Sequence, residues 1–327
     1  MNRKVSVAPM MDCTDRHERY FLRLISKNVL LYTEMIVSEA IDRGDKKKLL
    51  SFNLNEKPVA LQLGGSSPKL LSNASKVGEE FGYDEINLNL GCPSKKVQKN
   101  KFGACLIKEP NLVADCLNEM QSKTNLPVTV KTRIGYDDVE DYESLFNFIN
   151  LLKSTGIKTF IIHARKAMLG KFTPKQNLNI PPLKYDMVYK LKKDFKDLEI
   201  IINGGITSTN DVKNHLNKVD GVMIGRSVYH SPYMLADIEK EIFKNENVLS
   251  REEIIKELVP YVKSETKKGT RLNQIMRHTL GLFHGQTGSS FWKRYLSENM
   301  CVRDADVKKI DHIMDKVKLA PQARSAG

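Results

Sequence analysis

Residues 85–93 read EINLNLGCP, a short apolar run from Glu85 to Leu90 that breaks on Gly91 and leaves Asn87, Asn89 and Cys92 at its finishing end. Seven further runs of this kind follow the chain: Val5 to Met11, Leu30 to Val37, Val59 to Gly64, Val128 to Arg133, Thr159 to Arg165, Glu199 to Asn203 and Gly221 to Gly225. Between them lie stretches such as Pro68 to Phe81, Pro110 to Lys123 and Tyr142 to Ser154. Their apolar residues return at three and four positions, as a surface helix with one buried stripe requires. Strand and helix in alternation predict a parallel sheet with crossover helices. Eight such units without an early GxGxxG turn predict an α/β fold closed as a (β/α)8 TIM barrel, in preference to an open doubly wound sheet. In such a barrel the chemistry sits where strands end. The runs here end on Met10 and Met11, Glu34, Gln62, Asn87 and Asn89, Lys131 and Arg133, His163 and Arg165, Asn203, and Arg226.

After about Glu241 the strand signal stops, and Ser250 to Lys263, Arg271 to Phe283, Ser290 to Glu298 and Asp304 to Lys316 read as helices. Ser250 with Glu253 three positions on is a capping box, which fixes the start of the first. The expected organisation is therefore a barrel over residues 1–242, a small all-helical domain over 243–319, and a loose tail over 320–327.

The formal net charge is +13. From Arg251 onward 15 Lys and Arg face 9 Asp and Glu, so the helical part carries a cationic excess that makes a polyanionic partner plausible. Five cysteines (Cys13, Cys92, Cys105, Cys116, Cys301) form no CxxC pair. That spacing argues against a zinc site or a disulfide framework and fits a reducing cytoplasm. No apolar stretch approaches the roughly 20 residues that a membrane span needs. A monomer with no metal is expected.

Asn203-Gly204-Gly205 ends the seventh run and Gly225-Arg226 the eighth, where barrels commonly bind a phosphate. Glycines there let backbone N–H groups approach the oxygens, a helix N-terminus adds a favourable dipole, and Arg226 offers a charge-assisted clamp. Many phosphorylated ligands could use such a site. Lys131 supplies a cation suited to the N1 and O2 edge of a reduced flavin, and Gln62 and His163 supply further hydrogen bonds. One phosphate site without a Rossmann fingerprint fits FMN better than FAD or tightly bound NAD(P).

The segments APMMD (8–12), NLNLGCPSK (87–95), VKTR (130–133), IHAR (162–165), NGG (203–205) and GR (225–226) together resemble the tRNA-dihydrouridine synthases, over essentially the whole chain. YTEM (32–35), the insert 173–183 ending in NIPPL, GLFHG (281–285) and residues 292–299 resemble the bacterial A subfamily in particular. The resemblance implies FMN as bound cofactor, NADPH as electron donor, and uridines 20 and 20a of the tRNA D-loop as targets. It implies that Pro9, Met10, Met11, Gln62, Lys131, His163, Asn203, Gly204, Gly205, Gly225 and Arg226 hold FMN, and that Asn89, Lys175 and Arg294 touch tRNA, to which we add Arg165. Leu178 departs from the pattern, standing where a basic residue is expected.

The chemistry suits those residues. Hydride delivered to C6 of uracil leaves an enolate that must be protonated at C5, and a thiol, largely protonated at neutral pH, can be that acid. Cys92 is placed for it. Asn89, with one donor and one acceptor, can pair with the Watson–Crick edge of an extruded uracil. In the helical part Arg271, Arg277, Lys293 and Arg294 are expected on faces opposite Leu272, Ile275, Met276, Phe291, Trp292 and Tyr295, as phosphate contacts. The enzymatic rival is a dihydroorotate or dihydropyrimidine dehydrogenase acting on a free pyrimidine. A non-catalytic rival is an RNA-binding protein built on an old barrel.

Overall fold

A computed structural model describes residues 1–300. Its strands are β1 (Val5–Val7), β2 (Leu30–Tyr32), β3 (Ile36–Val37), β4 (Val59–Gly64), β5 (Glu85–Leu90), β6 (Val128–Arg133), β7 (Thr159–His163), β8 (Glu199–Asn203) and β9 (Gly221–Ile224). All pairings between them are parallel, and the ring closes where Val5 faces Val222 across β1 and β9. Because β2 also pairs directly with β4, eight strands make the barrel, and β3 continues the second position by pairing with the end of β4. This is the expected (β/α)8 barrel.

The expected strand from Leu30 to Val37 is broken at Thr33. Its hydroxyl accepts the Gln62 N–H at 3.0 Å, taking the place of a backbone carbonyl in the ladder. The run from Val5 ends early as well. Pro9 has no N–H to give, and the Met10 N–H goes to the Thr14 hydroxyl at 2.9 Å.

Helices cover the outside of the ring because their sequences allow one dry face. The helix Pro110–Lys123 opens on proline, whose missing N–H costs nothing in a first turn. It buries Val113, Cys116, Leu117 and Met120, a stripe of three- and four-residue steps. Asp141 caps the helix Tyr142–Ser154 by accepting the Ser144 N–H at 2.7 Å, and Leu145, Phe148, Ile149 and Leu152 turn inward. Burying each such side chain stabilises by roughly 1.5–3 kcal/mol.

The end of the barrel where strands begin is shut by charge. Glu85, fully buried, is held by Arg3 at 2.6 Å, by the Thr129 hydroxyl at 2.6 Å and by the Tyr32 hydroxyl at 2.7 Å. Arg3 also reaches Glu199 at 3.0 Å. Above this floor Ala8, Leu30, Tyr32, Ala60, Ile161, Ile201 and Met223 pack as an apolar layer, with Met10 against it.

Contacts divide the chain into two units. One holds Met1–Thr14 and Val29–Gly225; the other holds Asp15–Asn28 and, of the described residues, 226–300. Residues 226–242, read from the sequence as the last of the barrel, and the early helix Arg16–Ile25 therefore both belong with the C-terminal helices.

In that second unit Arg16–Ile25, Met234–Glu241, Arg251–Lys267, Leu272–Met276 and Ser289–Asn299 are helical. The Ser250–Glu253 capping box is present, with both hydrogen bonds made. The expected helix from Arg271 to Phe283 tightens instead into a 3-10 turn over Arg277–Gly281. There the Thr279 carbonyl receives the indole N–H of the buried Trp292 at 2.9 Å. His278 is wholly enclosed, with Nε2 at 3.1 Å from Asp15 and Nδ1 at 3.0 Å from Glu18. The expected helix 304–316 and the tail 320–327 lie outside the described residues. Among the described residues no helix is long and apolar enough to cross a membrane.

Candidate active site

The strand ends of the barrel gather polar side chains that are far apart in sequence. A continuous hydrogen-bond chain climbs from the floor to the rim. Thr129 Oγ1 donates to Glu85 and accepts from Asn87 Nδ2 at 2.8 Å, Asn87 Oδ1 accepts from Gln62 Nε2 at 2.8 Å, and Gln62 Oε1 accepts from Asn89 Nδ2 at 2.8 Å. Every amide in it is buried, so each orientation is fixed by its neighbour.

The top of that chain holds Cys92. Asn89 Oδ1 accepts the backbone N–H of Gly91 at 3.1 Å and of Cys92 at 3.0 Å, and so shapes the turn that leaves the strand. Arg133 grips the same turn from the next strand. Its Nε donates to the Gly91 carbonyl at 2.8 Å, while Nη1 reaches the carbonyls of Lys166 at 3.0 Å and Asn177 at 3.3 Å. One buried guanidinium thus ties the Cys92 turn to the loop after β7. Burial pushes it down to about 10, far enough above neutral to keep it charged.

Two of the other described thiols differ in place. Cys116 is buried on a helix, where burial pushes it up to about 12, and burial raises Cys105 as well. Cys92 is half-buried beyond the end of β5, with its carbonyl bonded to the Ala104 N–H at 3.0 Å.

Across the ring, Lys131 Nζ donates to Asn203 Oδ1 at 3.1 Å, and Asn203 Nδ2 donates to the Met223 carbonyl at 2.8 Å. Burial, with Arg133 nearby, pushes the Lys131 ammonium down to about 7. His163 Nδ1 accepts the Arg165 N–H at 3.2 Å, so the neutral ring carries its proton on Nε2, the nitrogen turned toward Gly204. Gly204 and Gly205 have φ of 113° and 73°, which an L side chain seldom adopts. A Cβ on Gly205 would meet Leu183 at 2.5 Å and Tyr185 at 2.8 Å. At Gly225 the nearest atoms to an added Cβ are Ala8 and Met10 Sδ, each at 3.7 Å.

The barrel therefore brings together Gln62, Asn89, Cys92, Lys131 and Asn203, linked to one another directly or through a shared strand, with His163, Gly204 and Gly205 on the adjoining ends. Pro9 and Met10 are half-buried after β1, Met11 is exposed, and Lys175 is exposed on the insert, whose Leu178 is half-buried. Arg165 donates to the Pro181 carbonyl, which bends the insert back over its own strand end. Arg226, Arg271, Arg277, Lys293 and Arg294 belong to the second unit. Lys293 and Arg294 are exposed there beside the buried Trp292 and Leu296, as the helical pattern predicts. Arg271 is exposed too, but Arg277 is committed to Asp15 at 2.8 Å.

Two features were hidden. In sequence Arg133 is one more strand-end residue, although its place two positions after Lys131 puts both on the same rim. The sequence presents Asn89 as a partner for a base, whereas the structure shows it also making the turn, as an Asn two and three residues before backbone N–H groups commonly does.

These residues suit a flavin mononucleotide. The half-buried Lys131 side chain fits the ring edge where negative charge gathers on reduction, the amides of Gln62 and Asn203 fit its polar atoms, and the left-handed glycines just after β8 fit a phosphate.

The family model for dihydrouridine synthase (Dus) matches residues 6–318. A protein of Synechocystis sp. named tRNA-dihydrouridine(20/20a) synthase is 52% identical over 302 residues, covering 92% of this chain and 90% of its own. One of the same name from Escherichia coli (strain K12) is 50% identical over 316 residues, covering 96% and 91%. Among solved structures, a 2-naphthoyl-CoA reductase complex aligns with TM-score 0.53 at 12% identity, over 73% of this chain and 50% of that one. A histamine dehydrogenase from Rhizobium sp. 4-9 aligns with TM-score 0.55 at 11% identity, over 74% and 46%. The chain thus spans about half of each of those two, and they share its fold.

Proposed function

Because the chain belongs to the dihydrouridine synthase family, a family of enzymes, we propose that it reduces the C5=C6 bond of uridine in tRNA to 5,6-dihydrouridine. The bound cofactor is FMN and the electron donor NADPH. The targets are positions 20 and 20a of the D-loop, which the relatives carry in their name. The work belongs in the cytoplasm, where tRNA is at hand.

The observation that carries this reading is the double grip on the Cys92 turn, from Asn89 below and Arg133 beside it. Bound FMN would supply hydride to C6 of the base. Gln62, Lys131, Asn203 and the Gly204-Gly205 turn would hold it, with Pro9, Met10, Met11, His163, Gly225 and Arg226 completing the set. Charge then accumulates on C5 and O4 of the uracil, and Cys92 Sγ gives its proton to C5. The half-exposed thiolate recovers a proton from water, so one turnover consumes NADPH, one proton and one uridine. Lys131, when protonated, would offer a positive charge to the flavin edge that it holds.

A flipped uracil needs partners besides the thiol. Asn89 Oδ1 is engaged by two backbone N–H groups, so Asn89 serves the base first by fixing where the thiol stands. Arg165, just after β7, and the exposed Lys175 of the insert would add further contacts to the nucleotide. Lys293 and Arg294 would take phosphates of the tRNA body, and their exposure favours a polynucleotide over the free pyrimidine of a dihydroorotate or dihydropyrimidine dehydrogenase.

The test is flavin reoxidation. Reduced wild-type enzyme is expected to reoxidise with unmodified tRNA and not with free uracil or orotate. Cys92→Ala is expected to keep flavin and tRNA binding and to lose most dihydrouridine formation, by 100-fold or more on the scale of a lost general acid. Wild-type rates in Cys92→Ala remove the thiol from the mechanism; reoxidation by orotate alone replaces the substrate.

A further inference from the structure

The chain from Ser94 to Lys101 reads SKKVQKNK, and no acidic residue occurs anywhere between Glu85 and Glu109. Lys95, Lys96, Lys99 and Lys101 are all exposed. Among the described residues none of the four makes an ion pair, whereas Lys108, just beyond them, is neutralised by Asp137 at 3.1 Å. Four exposed cations in seven residues, with no acidic side chain among them, make a concentrated positive surface that favours an anionic partner.

The segment is nevertheless built. Ser94 caps the short helix Lys95–Lys99, Gln98 Nε2 donates to the Pro93 carbonyl at 2.7 Å, and Asn100 Nδ2 to the Lys96 carbonyl at 2.8 Å. Val97 and Phe102, each 5% exposed, are its apolar anchors, and the lysines take the other positions. Lys101 turns the chain with φ of 56°, and Ala104 then bonds back to the Cys92 carbonyl. Gly103 fits that return closely: a Cβ there would stand 2.7 Å from the Cys92 oxygen. The loop thus starts at Cys92 and ends at Cys92. Its charges are held at a fixed reach from the thiol.

We propose that Lys95, Lys96, Lys99 and Lys101 form a phosphate-gripping surface that seizes the tRNA backbone next to the nucleotide entering the Cys92 site. The inference rests on the tRNA reading above and adds its nearest electrostatic contact. A free pyrimidine has no phosphates to fill such a surface. A nucleotide within tRNA carries one on each side, and any base that reaches Cys92 brings them past this loop. The lysines touch no reacting atom, so they act on binding and on alignment of the strand.

The test uses the full-length flavin-loaded enzyme with all four lysines changed to alanine, and a second variant with all four changed to arginine. Unmodified tRNA binding is followed by filter retention from low to moderate salt, beside KM and kcat for tRNA and KM for NADPH. The alanine variant is expected to bind tRNA at least ten-fold more weakly at low salt. Its plot of log affinity against log salt should flatten by about two to three units, since each lost phosphate contact removes roughly 0.7–0.9. KM for tRNA should rise more than kcat falls. The arginine variant is expected to match wild type, which separates charge from a folding defect. Unchanged affinity and salt slope in the alanine variant overturn the proposal, as does a rise confined to KM for NADPH, which would assign the lysines to the dinucleotide's phosphates. Wild-type enzyme that neither binds tRNA nor is reoxidised by it sinks the tRNA reading itself, a result visible without any variant.

Discussion

Changing Asn89 to alanine should cost catalysis far more than it costs cofactor binding. The side chain makes three hydrogen bonds: it accepts from Gly91 and Cys92 and donates to Gln62 Oε1. Each contributes about 1 kcal/mol net. Together they supply about 3 kcal/mol toward holding the thiol in one position, which corresponds to a rate factor of roughly 100 if all of it is needed in the transition state. A misplacement of about 1 Å has a penalty of the same order. Stopped-flow spectroscopy separates the two halves of the reaction, flavin reduction by NADPH and reoxidation by tRNA. For Asn89→Ala we expect the first to stay within about two-fold and the second to fall about 100-fold. Alkylation of Cys92 by iodoacetamide should also change rate as the turn loosens. Asn89→Asp keeps an acceptor for both N–H groups and should retain the wild-type alkylation rate. Reoxidation of Asn89→Ala within three-fold of wild type would refute the argument. An aspartate variant with an intact turn but no turnover would move the role of Asn89 from the loop to the base.

Two further outcomes follow from charge. Burial alone would lower the pKa of His278, but the carboxylates of Asp15 and Glu18 override it and push the imidazolium up to about 9. A raised folded pKa contributes stability that is complete below the unfolded value near 6.5 and lost as pH rises through 9, at most about 3 kcal/mol over that window. Urea unfolding followed by Trp292, the single tryptophan, should show that decline, and His278→Gln should flatten it; an equal slope in the variant removes His278 as its source. Lys131→Met leaves Asn203 Oδ1 without its donor and the flavin edge without its cation. FMN affinity, read from flavin fluorescence, is expected to weaken by about 10- to 100-fold, the scale of one charged hydrogen bond, and unchanged affinity would move the flavin edge elsewhere.

The barrel was legible because its signals are local. Val59–Gly64, Glu85–Leu90, Val128–Arg133 and Glu199–Asn203 begin and end where their apolar runs do. Failures came where a side chain took over a backbone partner, as the Thr33 hydroxyl does in the second strand. The site was legible as a ring of polar termini but not as a wiring diagram. Lys131 meets Asn203 across 72 positions, and no spacing rule reports such a pair. Arg277 shows the same limit from the other side. Its helical position marked it as a free cation, and only the fold reveals Asp15, 262 residues earlier, as its counterion.

The grouping of residues 15–28 with the C-terminal helices bears on how the protein is made. The helix Arg16–Ile25 carries Phe21, Leu22 and Ile25 on a dry face, and the helices of its own unit begin only at Arg226. On the ribosome about 200 residues must be added before that face can be covered, a wait of roughly 10–40 s at elongation rates of about 5–20 residues per second. Through that interval the nascent chain displays an uncovered amphipathic segment. The same connectivity means that cutting the gene after Gly225 does not yield a clean barrel. Such a fragment would carry an orphaned helix spliced between its first two strands, and any dissection of this enzyme has to excise or re-cover it.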